Sequence, residues 1–230
     1  MPNLTLSEME TMVKIETGLG TTTGGDYKSI CDQYLNEGVE RFLLLTGCYK
    51  KEFSASLTAG EDSYTLSTSI LAITDLWGSD SSGARHLDPT TLEEMNAMRL
   101  LDSATSGGPC RYYAISGLNL LLLYPAASSG ETIKGVYVPR PATLSDASDT
   151  PAEIPDEFHG APVYWAMNRL ASSDDDESSG TGQAYKAMFN EEVMLCRRML
   201  KRRGPRPRMG FNTRRRRVLF GRSPSTDMGW

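Results

Sequence analysis

The chain has 230 residues, 39% of them hydrophobic and 23% charged, with a formal net charge of −5. That length suits one domain, or one domain with a small subdomain, and the composition excludes both global disorder and a membrane protein. An apolar run such as Leu120–Tyr124 is far too short to span a bilayer. Met1-Pro2-Asn3-Leu4 lacks the basic and apolar regions of a secretory signal, so none is expected.

The pattern begins helical. Leu4–Thr17 places Leu6, Met9, Val13 and Met12 at helical spacing, with Ser7 available as a cap. Gly18–Gly25 reads as a Gly/Thr loop. Asp26 opens a stronger helix in which Tyr27, Ile30, Cys31, Tyr34, Gly38, Phe42 and Leu45 recur on one face up to Gly47. The small Gly38 on that face would let another helix approach closely. The period then falls to two. Phe53, Ala55 and Leu57 alternate with polar residues, Ala59-Gly60-Glu61-Asp62 makes a turn, and Tyr64–Thr68 alternates again, so the segment reads as a β-hairpin. Ile70–Trp77 predicts a third strand and Ser79–Gly83 a polar loop tip. Thr90–Leu101 returns to helix, with Pro89 before it and Asp88 as its cap. Arg111–Ser116, Asn119–Tyr124 and Thr132–Val138 read as further strands. Together the strands predict an antiparallel sandwich or barrel.

Pro139–Pro155 is a Pro/Asp/Ser connector. Helix resumes at Pro155-Asp156-Glu157, and Pro162 should kink it or delay its start. Phe158, Ala161, Trp165 and Ala166 give its apolar side. Ser172–Gly182 is an acidic loop. A last helix, Gln183–Arg203, carries Tyr185, Met188, Phe189, Leu195, Cys196 and Met199 on one side, and Gly204-Pro205-Arg206-Pro207 stops it. The expectation is an α+β fold. A helical bundle from the two ends of the chain (4–46 and 155–203) holds an inserted, mainly antiparallel β module (49–140). Residues 1–203 form the domain and 204–230 an extended basic arm.

No catalytic constellation stands out. Cys31, Cys48, Cys110 and Cys196 are scattered without a CxxC pair and read as reduced thiols. His86 and His159 have weak surroundings for a Ser-His-Asp site. The glycine-rich segments lack the rest of any nucleotide-binding fingerprint. Asp174, Asp175, Asp176 and Glu177 lack EF-hand spacing and read as a solvated loop, or as an acidic rim or lumen if many copies form a ring. No metal, cofactor or catalytic residue is expected.

Charge is the strong signal. From Arg197 onward there are twelve basic residues and one acid, Asp227, a net of +11, which leaves −16 for residues 1–196. Such an arm suits an acidic protein surface or nucleic acid. Arg206, Arg208, Arg214, Arg215, Arg216, Arg217 and Arg222 are interleaved with Phe211, Phe220 and Trp230. Arginine and aromatic residues favour interfaces, and they also grip phosphates and stack on bases.

Several motifs occur together in one order. A Y-L-N-E-G-V-E-R-F helix is followed by F-S-A-S-L-T-A-G-E-D-S-Y-T-L-S, which fits a TAG-x-x-x-Y-x-L pattern. A YYA strand, a strand ending LLYP, a PRPATLSD connector and an IPDEFHGAPVYWAMNRLA helix come next. This series, over roughly residues 5–203, resembles the head–tail adaptor (connector) proteins of tailed bacteriophages. The resemblance implies a structural virion protein at the head–tail junction, assembled in the host cytoplasm. It implies a ring, typically twelve-fold, of neighbouring adaptor subunits beneath the portal protein. A tail or nozzle protein would sit below, double-stranded DNA would pass through the channel, and no membrane would be involved. It also implies a C-terminal segment reaching the portal, and no catalytic residue. The alternative is a nucleic-acid-binding protein that uses the basic tail. A tail-associated cell-wall hydrolase would need a carboxylate pair or a His-centred site, and neither is evident.

Overall fold

The computed structural model describes residues 3–18, 25–81, 83–101, 108–172 and 179–203. The fold is mixed α+β. Helix α1 (Leu6–Thr17) starts at a capping box: the Thr5 hydroxyl accepts from the Glu8 N–H, and the Glu8 carboxylate accepts from the Thr5 N–H. The cap is therefore Thr5. Ser7 lies inside the first turn, where its N–H bonds the Ala147 carbonyl instead. Gly18 ends the helix in the left-handed region, φ 67°.

Helix α2 (Gly25–Thr46) buries Cys31, Leu35, Val39, Phe42 and Leu43, a stripe at three- and four-residue steps. Ile30 is turned to solvent, contrary to expectation.

Among the described residues eight strands follow: β1 (Lys51–Ser56), β2 (Ser63–Thr65), β3 (Ile70–Asp80), β4 (Gly83–His86), β5 (Asp88–Pro89), β6 (Tyr112–Ser116), β7 (Leu120–Tyr124) and β8 (Thr132–Pro139). They form two four-stranded sheets, ordered β1-β8-β3-β4 and β2-β7-β6-β5. All pairings are antiparallel except the short β5–β6. The expected β1–β2 hairpin does not form. Segment 57–62 crosses from one sheet to the other, held by Leu57 N–H to Glu131 O and Gly60 N–H to Ala127 O. Leu57 and Leu66 drop into a core shared by both sheets, with Leu76, Leu87, Leu121, Leu123 and Ile133. Burying those two leucines separates the strands that a tight turn would have paired. Strand β3 also runs on through Ser79, expected in the loop tip, because β4 and β8 pair with it there.

Helix α3 (Leu92–Leu101) begins at Thr91, which forms a capping box with Glu94. Asp88 is not its cap, because Asp88 and Pro89 are occupied as β5. Met95 packs on Ala114 and Leu122 of the second sheet.

After the connector, a 3-10 turn (Asp156–Phe158) precedes α4 (Gly160–Ala171), so Pro162 sits in the first turn of a delayed helix, where it breaks no hydrogen bond. Helix α5 (Ser179–Arg203) starts earlier than Gln183 and buries Phe189, Val193 and Cys196. Met188 and Leu195 are 44% and 40% exposed and do not share the buried stripe. Residues of α1, α2, α4 and α5 form one core, with Phe42 5.8 Å from Phe158 and 6.4 Å from Phe189 between ring centroids. Gly38 acts as expected: a Cβ there would meet Pro162 Cα at 2.9 Å, so α2 and α4 touch backbone to backbone.

Candidate functional site

The site begins where α5 turns basic. Cys196 faces the helical core, and the next residue, Arg197, reaches across to α2. Its Nε donates to the Leu45 carbonyl at 2.8 Å. The last carbonyls of a helix lack partners within it, so this guanidinium closes the end of α2 and fixes the direction of α5. Arg198, Lys201 and Arg202 are exposed. One basic residue of the arm's root thus serves the fold, and the next ones stay available.

The segment that leads into α4 is acidic. Residues 141–168 contain Asp146, Asp149, Glu153, Asp156 and Glu157 and no lysine or arginine. Backbone N–H groups of Asp146 and Ser145 bond the Asp149 carboxylate at 2.9 and 2.8 Å and hold its pKa below the ordinary value. The segment is pinned to α1 by Leu6 N–H to Asp149 O and Ser7 N–H to Ala147 O. Glu157 stands close enough to Cys196 to act on it electrostatically. Elsewhere in the bundle Arg169 lies 3.6 Å from Glu37 and over the Tyr34 ring, and Arg41 lies over Trp165.

The expected contact residues Arg206, Arg208, Phe211, Arg214, Arg215, Arg216, Arg217, Phe220, Arg222 and Trp230 lie outside the described residues. So do Asp174, Asp175, Asp176 and Glu177, which fall between α4 and α5. By sequence, the acidic run and the arm leave opposite ends of α5, a helix of 25 residues and about 37 Å.

The histidines have structural surroundings. His159 is buried; Nδ1 accepts from the Leu4 N–H at 3.1 Å and Nε2 lies 3.0 Å from the Ile154 carbonyl. An acceptor at Nδ1 and a donor at Nε2 define one neutral tautomer. His86 is half exposed, between Asp75 and Asp88 at 3.6 Å each. Among the described residues no cluster of three or more His, Cys, Asp or Glu is placed to hold a metal ion, and no helix is long and apolar enough to cross a membrane.

Sequence reasoning missed two constellations. Glu131, wholly buried, accepts from Arg85, from the Cys110 N–H at 3.1 Å and from the Ser128 N–H at 3.1 Å; Arg85 also bonds Asp80 and the Cys110 carbonyl. Cys48 and Cys196, far apart in sequence, come to the same helical core, Cys48 packed against the cluster that contains Cys196. Neither grouping has a spacing signal, because each is assembled by the tertiary fold.

A helical bundle interrupted by a β sandwich, with a last helix that ends in basic residues, agrees with the resemblance. The family model described as SU10 adaptor protein matches residues 4–217. The chain belongs to the SU10 adaptor protein family. This is a family of phage head–tail adaptors, structural components of the virion and not a known enzyme family. No individual curated protein matches the chain. The matched region of the adaptor extends fourteen residues past α5 and takes in Arg214–Arg217. It thus reaches beyond the limit of about residue 203 set by the motifs, and the arginine block lies within the matched span.

Proposed function

We propose that this adaptor forms a ring, twelve-fold by analogy with connectors generally, between the portal and the tail. The ring extends the DNA channel and offers the tail or nozzle protein its platform. Residues 1–203 are the body. Residues 204–230 are an extended arm that lies on portal subunits or on the neighbouring adaptor. The observation that carries this reading is the charge division: a basic helix end and a +11 tail leave a body of −16, and the family match runs through the arginine block. Arg206, Arg208, Arg214–Arg217 and Arg222 would meet carboxylates through their planar forks, with Phe211, Phe220 and Trp230 in apolar pockets. Asp174–Glu177 would contribute to a negative rim, which repels the DNA backbone and lets it slide.

Deleting residues 205–230 tests the reading. The body should remain folded and no longer join filled heads. Replacing Arg214–Arg217 with alanine should weaken attachment and reduce its salt sensitivity. Normal assembly of infectious particles by the truncated protein would overturn the arm's role. Retarded migration of double-stranded DNA that depends on the arm, with unchanged portal binding, would favour the nucleic-acid reading instead.

A further inference from the structure

The sheet β1-β8-β3-β4 ends at β1, and one bond shows which backbone groups that edge leaves open. The Leu57 N–H donates to the Glu131 carbonyl, just past β1 and in the same register that pairs Ala55 with Ile133 and Phe53 with Gly135. Hydrogen-bonded pairs alternate along an antiparallel ladder. Lys51, Phe53, Ala55 and Leu57 therefore turn their backbone groups to β8. Glu52, Ser54 and Ser56 turn theirs outward, where nothing pairs with them among the described residues. All of β1 except Phe53 is exposed. Proteins guard such edges with proline, a bulge or a charge. Phe53-Ser54-Ala55-Ser56 has no proline or charge, and its register with β8 has no bulge.

The two sides of this edge differ. Phe53 points into the sandwich: its ring covers Gly135, and it packs on the core that contains Leu76 and Leu121. Glu52 and Ser54 face the other way, at the rim of a depression shared with Trp77, Lys134 and Val136. Side chains of a strand alternate between faces, so a strand added here fits if it is apolar on one side and carries a cation for Glu52 on the other.

We propose that residues 215–220 of a neighbouring copy add to β1 as a fifth strand, so that the arms join the subunits of the ring through their β sandwiches. This rests on the ring reading above and names the surface of the neighbour that receives the arm. Within 204–230, Val218-Leu219-Phe220 is the run of three consecutive apolar residues, and no proline falls between Pro207 and Pro224. In an added strand Val218 and Phe220 share the inner side, beside Phe53 and Ala55, and extend the sandwich core. Arg215 and Arg217 share the outer side, where a long guanidinium reaches the Glu52 carboxylate. The length fits as well. Arg197 on the Leu45 carbonyl sets the base of the arm beside the end of α2, six residues before β1. Root and receiving edge thus lie at the same end of the bundle. Residues 204–217 span about 45 Å when extended, and a body of this size is about 40 Å across. The segment reaches the next subunit and goes no further.

The test uses full-length chains with benzoylphenylalanine in place of Phe220, half of them labelled with heavy isotopes, assembled on portal and irradiated. Mass spectrometry should find residue 220 joined to the peptide of residues 51–57 in pairs of mixed label. Ser54→Pro removes an outward N–H and no bond to β8, so it should leave the melting temperature unchanged and lower this cross-link about tenfold. Cross-links from residue 220 to the portal, to another part of the adaptor, or only within one chain overturn the proposal and leave the ring standing. Undiminished cross-linking in a folded Ser54→Pro overturns it as well. The map obtained with the natural β1 decides the question even if Ser54→Pro folds poorly. Absence of any ring on the portal would overturn the ring reading itself, and the proposal with it.

Discussion

Glu131 shows how much one side chain can organise. It ties the β3–β4 hairpin, through Arg85, to the backbone of residues 110 and 128, and every partner of its carboxylate is a donor. Glu131→Ala would leave the Cys110 and Ser128 N–H groups without their acceptor and Arg85 with Asp80 as its remaining carboxylate partner, so it should destabilise by about 2–4 kcal/mol in urea unfolding. Asp32 carries the opposite balance. Burial, then the neighbouring Glu10 carboxylate, raises its pKa to about 6, partly offset by Lys28 and Lys14. Its folded-state pKa lies above the unfolded 3.8. The stabilising share is therefore complete below that value and lost as pH rises through 6. Asp32→Asn should consequently stabilise by about 1–2 kcal/mol at pH 7.5 and lose that advantage near pH 4 in thermal melts. Neither residue was legible in the sequence. Glu131 and Arg85 are 46 positions apart, and Glu10 meets Asp32 only because α1 packs on α2. His159 was read as an ordinary histidine, and its two backbone bonds agree with a purely structural part.

At the scale of elements, the helix pair α2–α4 depends on an absent side chain. Gly38→Ala improves helix propensity by about 1 kcal/mol, yet its Cβ would press on the Pro162 backbone, which cannot rotate away. A net loss of about 1–3 kcal/mol is expected, read as a fall of several degrees in melting temperature. Arg197 and Arg198 make a matched pair on α5. Arg197→Ala should cost about 1 kcal/mol in chemical denaturation by uncapping α2, and Arg198→Ala almost nothing. Gly38 could be read from sequence because its neighbours on the stripe were apolar at helical spacing. Pairing could not. Alternation marks Phe53–Leu57 and Tyr64–Leu66 as extended, but it carries no information about which strand lies alongside. Two leucines entering one core then sent the strands to separate sheets. Helix α5 misled for another reason: it has apolar residues on more than one face, so periodicity grouped Met188 and Leu195 with a stripe they do not join.

The whole molecule is an acidic body with a basic extension, and that division was legible from composition alone. The free adaptor should be monomeric or weakly associated by light scattering, with ring formation requiring the portal surface. Stable rings without portal would contradict this expectation while leaving the structural role intact. The proposed contact residues are defined by chemistry alone, arginine with aromatic anchors, since a docking arm would take its geometry from its partner.

The β sandwich interrupts a bundle whose halves come from opposite ends of the chain. More than a hundred residues separate the end of α2 from the start of α4. On the ribosome, at 5–20 residues per second, roughly ten seconds therefore pass between the emergence of Phe42 and that of Phe158, which it packs against. The sandwich contains its own core and can close during that interval, whereas α1 and α2 wait with their apolar stripe uncovered. Chains stalled near residue 180, with β8 emerged and α4 still in the exit tunnel, should resist protease across strands β1–β8 and be cut within α2. The adaptor is thus built from the middle outwards, and its first helices are among the last parts to become protected.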